Sequence, residues 1–142
     1  MRSIAQVREG HQEIAELGAQ LRKIIDHEVA DSAAVTTVRW RMYRLLADHC
    51  TLEDQAVFYR SLACGEARLT ALALRLREEM VPLARRFRES ISDWPVERIN
   101  REWIGYVMVV RELLDQLEKW IRFEDQLLLP LLEEHLQHRT AA

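Results

Sequence analysis

His49 and Glu53 are the residues whose type and spacing point most directly to chemistry. Val35, Val38, Met42, Leu45, His49, Leu52, Ala56, Tyr59 and Ala63 step by three and four, which is the inward seam of a long helix. His49 therefore stands where an apolar side chain belongs, and Glu53 lies one turn on, beside it on the same face. A buried carboxylate is costly unless a cation or a hydrogen-bond partner compensates it. His11 and Glu124 interrupt two other apolar seams in the same way. Inward His and Glu from facing helices are how helical bundles build metal sites, and imidazole with carboxylate suits iron, manganese or zinc. His11, His49, Glu53 and Glu124 suffice for one divalent ion and are too few to hold two in the usual way. The same groups can also satisfy one another by hydrogen bonds, as a polar cluster with no metal.

The elements that must position these residues follow from periodicity and punctuation. Ser3 opens a capping box with Gln6, and Ile4, Val7, His11, Ile14, Gly18, Leu21 and Ile25 predict a first helix from about residue 4 to 28. Asp31 or Ser32 caps a second helix that continues to about residue 63. Gly65 breaks the chain. The third helix carries Leu69, Leu72, Leu76, Met80, Leu83 and Phe87 on its seam, with Pro82 expected to bend or split it. Ser92, Asp93, Trp94 and Pro95 form the third connection. The fourth helix starts at or just after Pro95, on a seam of Ile99, Trp103, Tyr106, Val110, Leu113, Leu117, Trp120, Glu124, Leu127 and Leu131. Pro130 is expected to bend or end it, leaving residues 133–142 as a polar, frayed tail.

Four long helices with short connections make an all-α, antiparallel up-down-up-down four-helix bundle, read here as one domain over residues 1–142. His11 and His49 lie about equally far from the first turn, near residue 30, so antiparallel helices bring them to one height. Glu53 and Met80 are level across the second turn. Glu124 is harder to place, because the fourth helix runs further past Pro95 than Met80 lies before it, and a loop or bend must absorb the difference.

Composition narrows the function. Lys and Arg are scattered and the formal charge is −3, which argues against nucleic acid. Two cysteines, Cys50 and Cys64, give no disulfide framework, and no apolar run reaches membrane-spanning length. Arg8, Glu9 and His11 come too early for a secretory leader, so a cytoplasmic protein is the expectation. Cys50 lies off the seam and reads as inert packing. Glu134, His135 and His138 read as a solvated helix end, and Arg85, Arg86 and Arg88 as a solvated face. Trp40, Trp94 and Trp103 are candidates for a homodimer or protein-partner surface. A ferritin-like site needs Glu three residues before a histidine, and no histidine here has one. No nucleophile–base pair or phosphate-binding glycine loop is present, so catalysis is not suggested.

Three segments resemble the hemerythrin-like, cation-binding HHE family. His11-Gln12-Glu13-Ile14 resembles its H-x-x-I. His49 to Glu53-Asp54, followed by Val57-Phe58-Tyr59, resembles H-x-x-x-E-E-x-x-L-F-P. Trp120 to Glu124-Asp125, ending at Leu129-Pro130, resembles a second copy. The resemblance implies a bundle with a di-iron, oxygen-binding centre, but two of that family's ligand positions are altered. Met80 stands where a third-helix histidine is expected, and Trp120 stands four residues before the last carboxylate. Only His11, His49, Glu53 and Glu124 carry over as metal-ligand candidates. The expectation is a non-enzymatic binding, sensing or regulatory domain that has lost the full di-iron site and holds no cofactor or a single divalent metal. By resemblance that metal is iron, with zinc or manganese as alternatives. Two other readings stay open. One is an intact oxygen- or iron-handling protein using Glu66, Glu78 or Glu79 as a substitute ligand. The other is a metal-free, dimerising bundle.

Overall fold

The structure is a computed structural model describing residues 3–141. It is helical almost throughout. Helix α1 spans Ile4–Ile25 and opens on both arms of the Ser3–Gln6 capping box. Helix α2, Ser32–Glu53, is capped by the Asp31 carboxylate, which accepts from the Ala34 N–H. It runs through a π-helical turn, Asp54–Phe58, into the short α3, Tyr59–Ala63. Gly65 then reverses the chain with φ of 69°, a left-handed conformation that glycine adopts without a Cβ clash. Helix α4 spans Ala67–Asp93, and the Glu66 carboxylate caps it by accepting from the Arg68 and Leu69 N–H groups. The fourth strut comprises α5 (Val96–Arg101), α6 (Trp103–Phe123), a second π-helical turn (Glu124–Leu128) and α7 (Leu129–Ala141).

The four struts pack as a ring, each on the next, with α6 closing onto α1. Cross-helix contacts fix the antiparallel register. On α1 and the last strut, Asp26 meets Arg111, Arg22 meets Asp115 and Glu118, and Arg8 meets Asp125 and Glu133. On α2 and α4, Asp54 meets Arg77 at one end, and the buried Arg39 donates to the Trp94 carbonyl at the other, at 2.7 Å. Between them lies an apolar core including Ile14, Met42, Leu76, Leu83, Leu114 and Leu117.

Four details differ from the sequence reading. Pro82 does not split α4: the helix is continuous, with Met80, Leu83 and Phe87 buried on one face across it. Pro130 does not end the last strut, which continues to Ala141 with Leu132 buried; Ala142 lies outside the described residues. The fourth helix is broken at Glu102, which separates the short α5 from α6. The seams also shift at the two π-helical turns. Tyr59 and Leu127 were expected inside and are 55% and 45% exposed, while Phe58, Ser61, Leu128 and Leu129 are buried instead. A π turn inserts one residue into the helical repeat, which rotates every later side chain off the 3–4 pattern.

Trp94 and Trp103 are buried, and the Trp103 indole N–H donates to the His27 carbonyl, so of the three tryptophans offered as a partner surface only Trp40 is exposed. No helix among the described residues is long and apolar enough to cross a membrane.

Candidate metal centre

Three struts deliver four polar side chains to one point. His11 comes from the middle of α1, His49 and Glu53 from the last turns of α2, and Glu124 from the first residue of the second π turn. All four are buried, Glu124 to 1% exposure. One ligand atom from each lies within 4.8 Å of the others. That spread is close to what one cation bridges with two bonds of about 2.0–2.2 Å.

The π turns explain how the carboxylates arrive there. Each begins at or directly after a cluster glutamate. In each, a backbone N–H reaches five residues back, from Tyr59 to the Asp54 carbonyl and from Leu129 to the Glu124 carbonyl. Widened turns of this kind recur at functional sites, because they re-aim a side chain without ending the helix. In the second, the turn also precedes Pro130, whose ring would otherwise press on the Gln126 carbonyl.

The two histidines are held differently. His11 Nδ1 lies 2.7 Å from Asp125 Oδ1, and its Nε2 lies 2.7 Å from Glu124 Oε1. A carboxylate on one ring nitrogen fixes the orientation of the other, the usual outer support of a metal-bound histidine. His49 has no such partner. Its ring lies against Gly10, where a Cβ would come within 2.6 Å of Nδ1, and its Nε2 stands 2.5 Å from Glu53 Oε1 out of hydrogen-bonding line. The two imidazoles are tilted by 52° with centroids 4.8 Å apart.

The cluster does not satisfy itself. His49 Nε2, Glu53 Oε1 and Glu124 Oε2 are buried without a hydrogen-bond partner. Orphaned polar atoms of both donor types, aimed at one place, fit a cation that their lone pairs would share. In the bare protein, protons partly stand in. Burial opposes a charge on His11, but Glu124, Glu53 and Asp125 outweigh it and hold the imidazole at about 10. Burial likewise opposes ionisation of Glu53, yet the two imidazoles draw it down to about 2. Glu124 is pushed well above the usual carboxylate range by burial and by the charge of Glu53.

Of the altered positions, Met80 lines a small cavity with Glu53, and Trp120 packs edge-on against Phe123. Met80 and Trp120 are buried, at 2% and 3% exposure, as members of the core. Of the substitute acids, Glu66 is committed to capping α4 and Glu78 is exposed; among the described residues, no Glu of α4 joins the cluster. Sequence reasoning missed Asp125 as the support of His11 and Gly10 as the seat of His49. The signal for the first was an Asp following Glu in both motif copies, and for the second a glycine inside a helix with no turn to make.

With this geometry in place, the class is defined. The Hemerythrin HHE cation binding domain family matches residues 2–139, and the chain belongs to that family. No curated protein and no solved structure gives a significant match.

Proposed function

We propose that this hemerythrin-family domain binds one divalent cation, with iron the first candidate, through His11, His49, Glu53 and Glu124, and acts as a non-enzymatic sensing or regulatory domain. The observation that carries this is the set of buried ligand atoms converging from three struts, of which His49 Nε2, Glu53 Oε1 and Glu124 Oε2 have no hydrogen-bond partner. Met80 and Trp120 replace the residues that a second ion would need, and both pack as core. Bound there, the ion would supply a compact divalent charge in an apolar interior. Asp125 holds the His11 ring in place, and Gly10 leaves room for the His49 ring. Because α1, α2 and the last strut each contribute ligands, occupancy ties three helices together. That coupling is what a regulatory domain can report through its surface.

Metal analysis of protein purified without chelator and then loaded anaerobically with iron tests the assignment. One ion per chain is expected, falling to none detectable in His49→Ala. Two ions per chain in the unaltered protein would overturn the mononuclear reading, and none in the unaltered protein would leave a cluster held by protons alone.

A further inference from the structure

The run from Trp103 to Val110 carries no charge. Trp103, Tyr106, Val107 and Val110 account for half of it, because they are buried in the core. Ile104 and Met108 do not. They stand one turn apart on the outer face of α6, at 78% and 66% exposure. With Val29, they are the three most exposed large apolar side chains among the described residues. The loop that carries Val29 is tied to the same helix: the Trp103 indole N–H donates to the His27 carbonyl at 3.0 Å, and Arg111 meets Asp26 at 3.0 Å. The three therefore share one side of the molecule, a grouping that marks an interaction surface rather than scattered exposure.

The charges that bound the strip differ in sign. Arg101 precedes it, 70% exposed, with Glu102 at 3.6 Å as its contact within the chain. Glu112 follows it, is exposed and makes no salt bridge among the described residues. Helical rise sets Arg101 and Glu112 about equally far from a point beside Tyr106 and Val107, and Ile104 and Met108 nearly equally far from the same point. A two-fold axis there lays α6 antiparallel on α6 of a second copy. Ile104 then meets the partner's Met108, and Arg101 meets the partner's Glu112, each contact being made twice. A parallel pairing would set Arg101 on Arg101 and Glu112 on Glu112, so the charges select the antiparallel one. We propose that this chain forms a two-fold symmetric dimer through the outer face of α6, with Ile104 and Met108 at its centre and Arg101–Glu112 pairs at its rim. The occupant is a second copy because the strip is complementary to itself, basic at one end, acidic at the other and apolar between. Glu124 lies about 30 Å further along the last strut, so the dimer stands or falls apart from the metal centre.

Sedimentation equilibrium of the full chain under reducing conditions tests this. A reversible monomer–dimer equilibrium is expected, with a dissociation constant in the micromolar range that suits a small interface. Ile104→Glu and Met108→Glu should each leave only monomer, with helical circular dichroism unchanged because both side chains are exposed. Arg101→Glu should weaken the dimer by about tenfold, since the substitution acts twice, and Glu112→Arg in the same chain should restore most of that loss. His49→Ala should dimerise like the unaltered protein. A chain that stays monomeric at every concentration would overturn the proposal and leave the strip to some other occupant. A dimer that survives Ile104→Glu would place the interface elsewhere, and a double charge reversal no tighter than Arg101→Glu alone would overturn the antiparallel pairing.

Discussion

Gly10 shows how one missing atom shapes the centre. A methyl group there would meet the His49 ring nitrogen at 2.6 Å, and neither the ring nor the helix backbone can yield much in a close-packed interior. Gly10→Ala should therefore keep the helical content, since alanine favours a helix over glycine, while displacing His49 and weakening divalent binding by about tenfold or more. Titration with Zn(II), paired with far-ultraviolet circular dichroism, checks it; unchanged affinity would mean that His49 is not a ligand. Asp125→Asn should weaken the same binding by about 10–100-fold, because the His11 ring loses its anionic support. The protons of the metal-free cluster set a third expectation. His11 rises from 6.5 to about 10 on folding, so it contributes stability below pH 6.5 that is lost as pH climbs toward 10. Glu124, also raised, acts in the same direction, its contribution being lost as pH climbs above 4.5. Glu53, drawn from 4.5 to about 2, contributes stability above pH 4.5 that is lost as pH falls through that range. Urea unfolding of metal-free protein should be hardest near pH 4.5 and ease steadily toward pH 10. No loss between pH 6.5 and 10 would contradict the buried His11 charge.

At the scale of helices, the two halves of the molecule carry the same device in different states of completion. Arg8 and His11 on α1 face Asp125 and Glu124, with Arg8 3.7 Å from Asp125. Arg77 and Met80 on α4 face Asp54 and Glu53, with Arg77 3.5 Å from Asp54 and Met80 sharing a cavity with both acids. Each acid pair sits at the start of a π turn. Met80 thus occupies the place that His11 holds in the other half. Installing Met80→His together with Trp120→His should raise iron from one ion per chain to two, measured by metal analysis. A stoichiometry that stays at one would show that the halves are not equivalent. The sequence displays this only in part. The bundle is legible because its seams are regular, and His11, His49, Glu53 and Glu124 are legible because each breaks a seam. The π turns are not legible: periodicity counts residues at a fixed angle, and a single inserted residue leaves composition untouched while rotating Tyr59 and Leu127 outward. The break at Glu102 was hidden for the same kind of reason. Ile99, Trp103 and Tyr106 stay in phase across it, so the pattern reads as one helix.

Across the whole molecule, the centre joins α1, α2 and the last strut near one end. Arg39, Trp94 and Tyr106 knit α2, α4 and α6 toward the other. A cation at the centre would bind only the folded chain, so saturating iron or zinc at about 100 times its dissociation constant should stabilise the fold by about 2.7 kcal/mol. A rise of several degrees in the thermal midpoint, absent in His49→Ala, is the expected reading. The most direct measurement is anomalous diffraction at the iron edge from a crystal of the loaded protein. One peak, bonded to His11, His49, Glu53 and Glu124, is the expected result. Two peaks, or a single peak away from these four side chains, would contradict it.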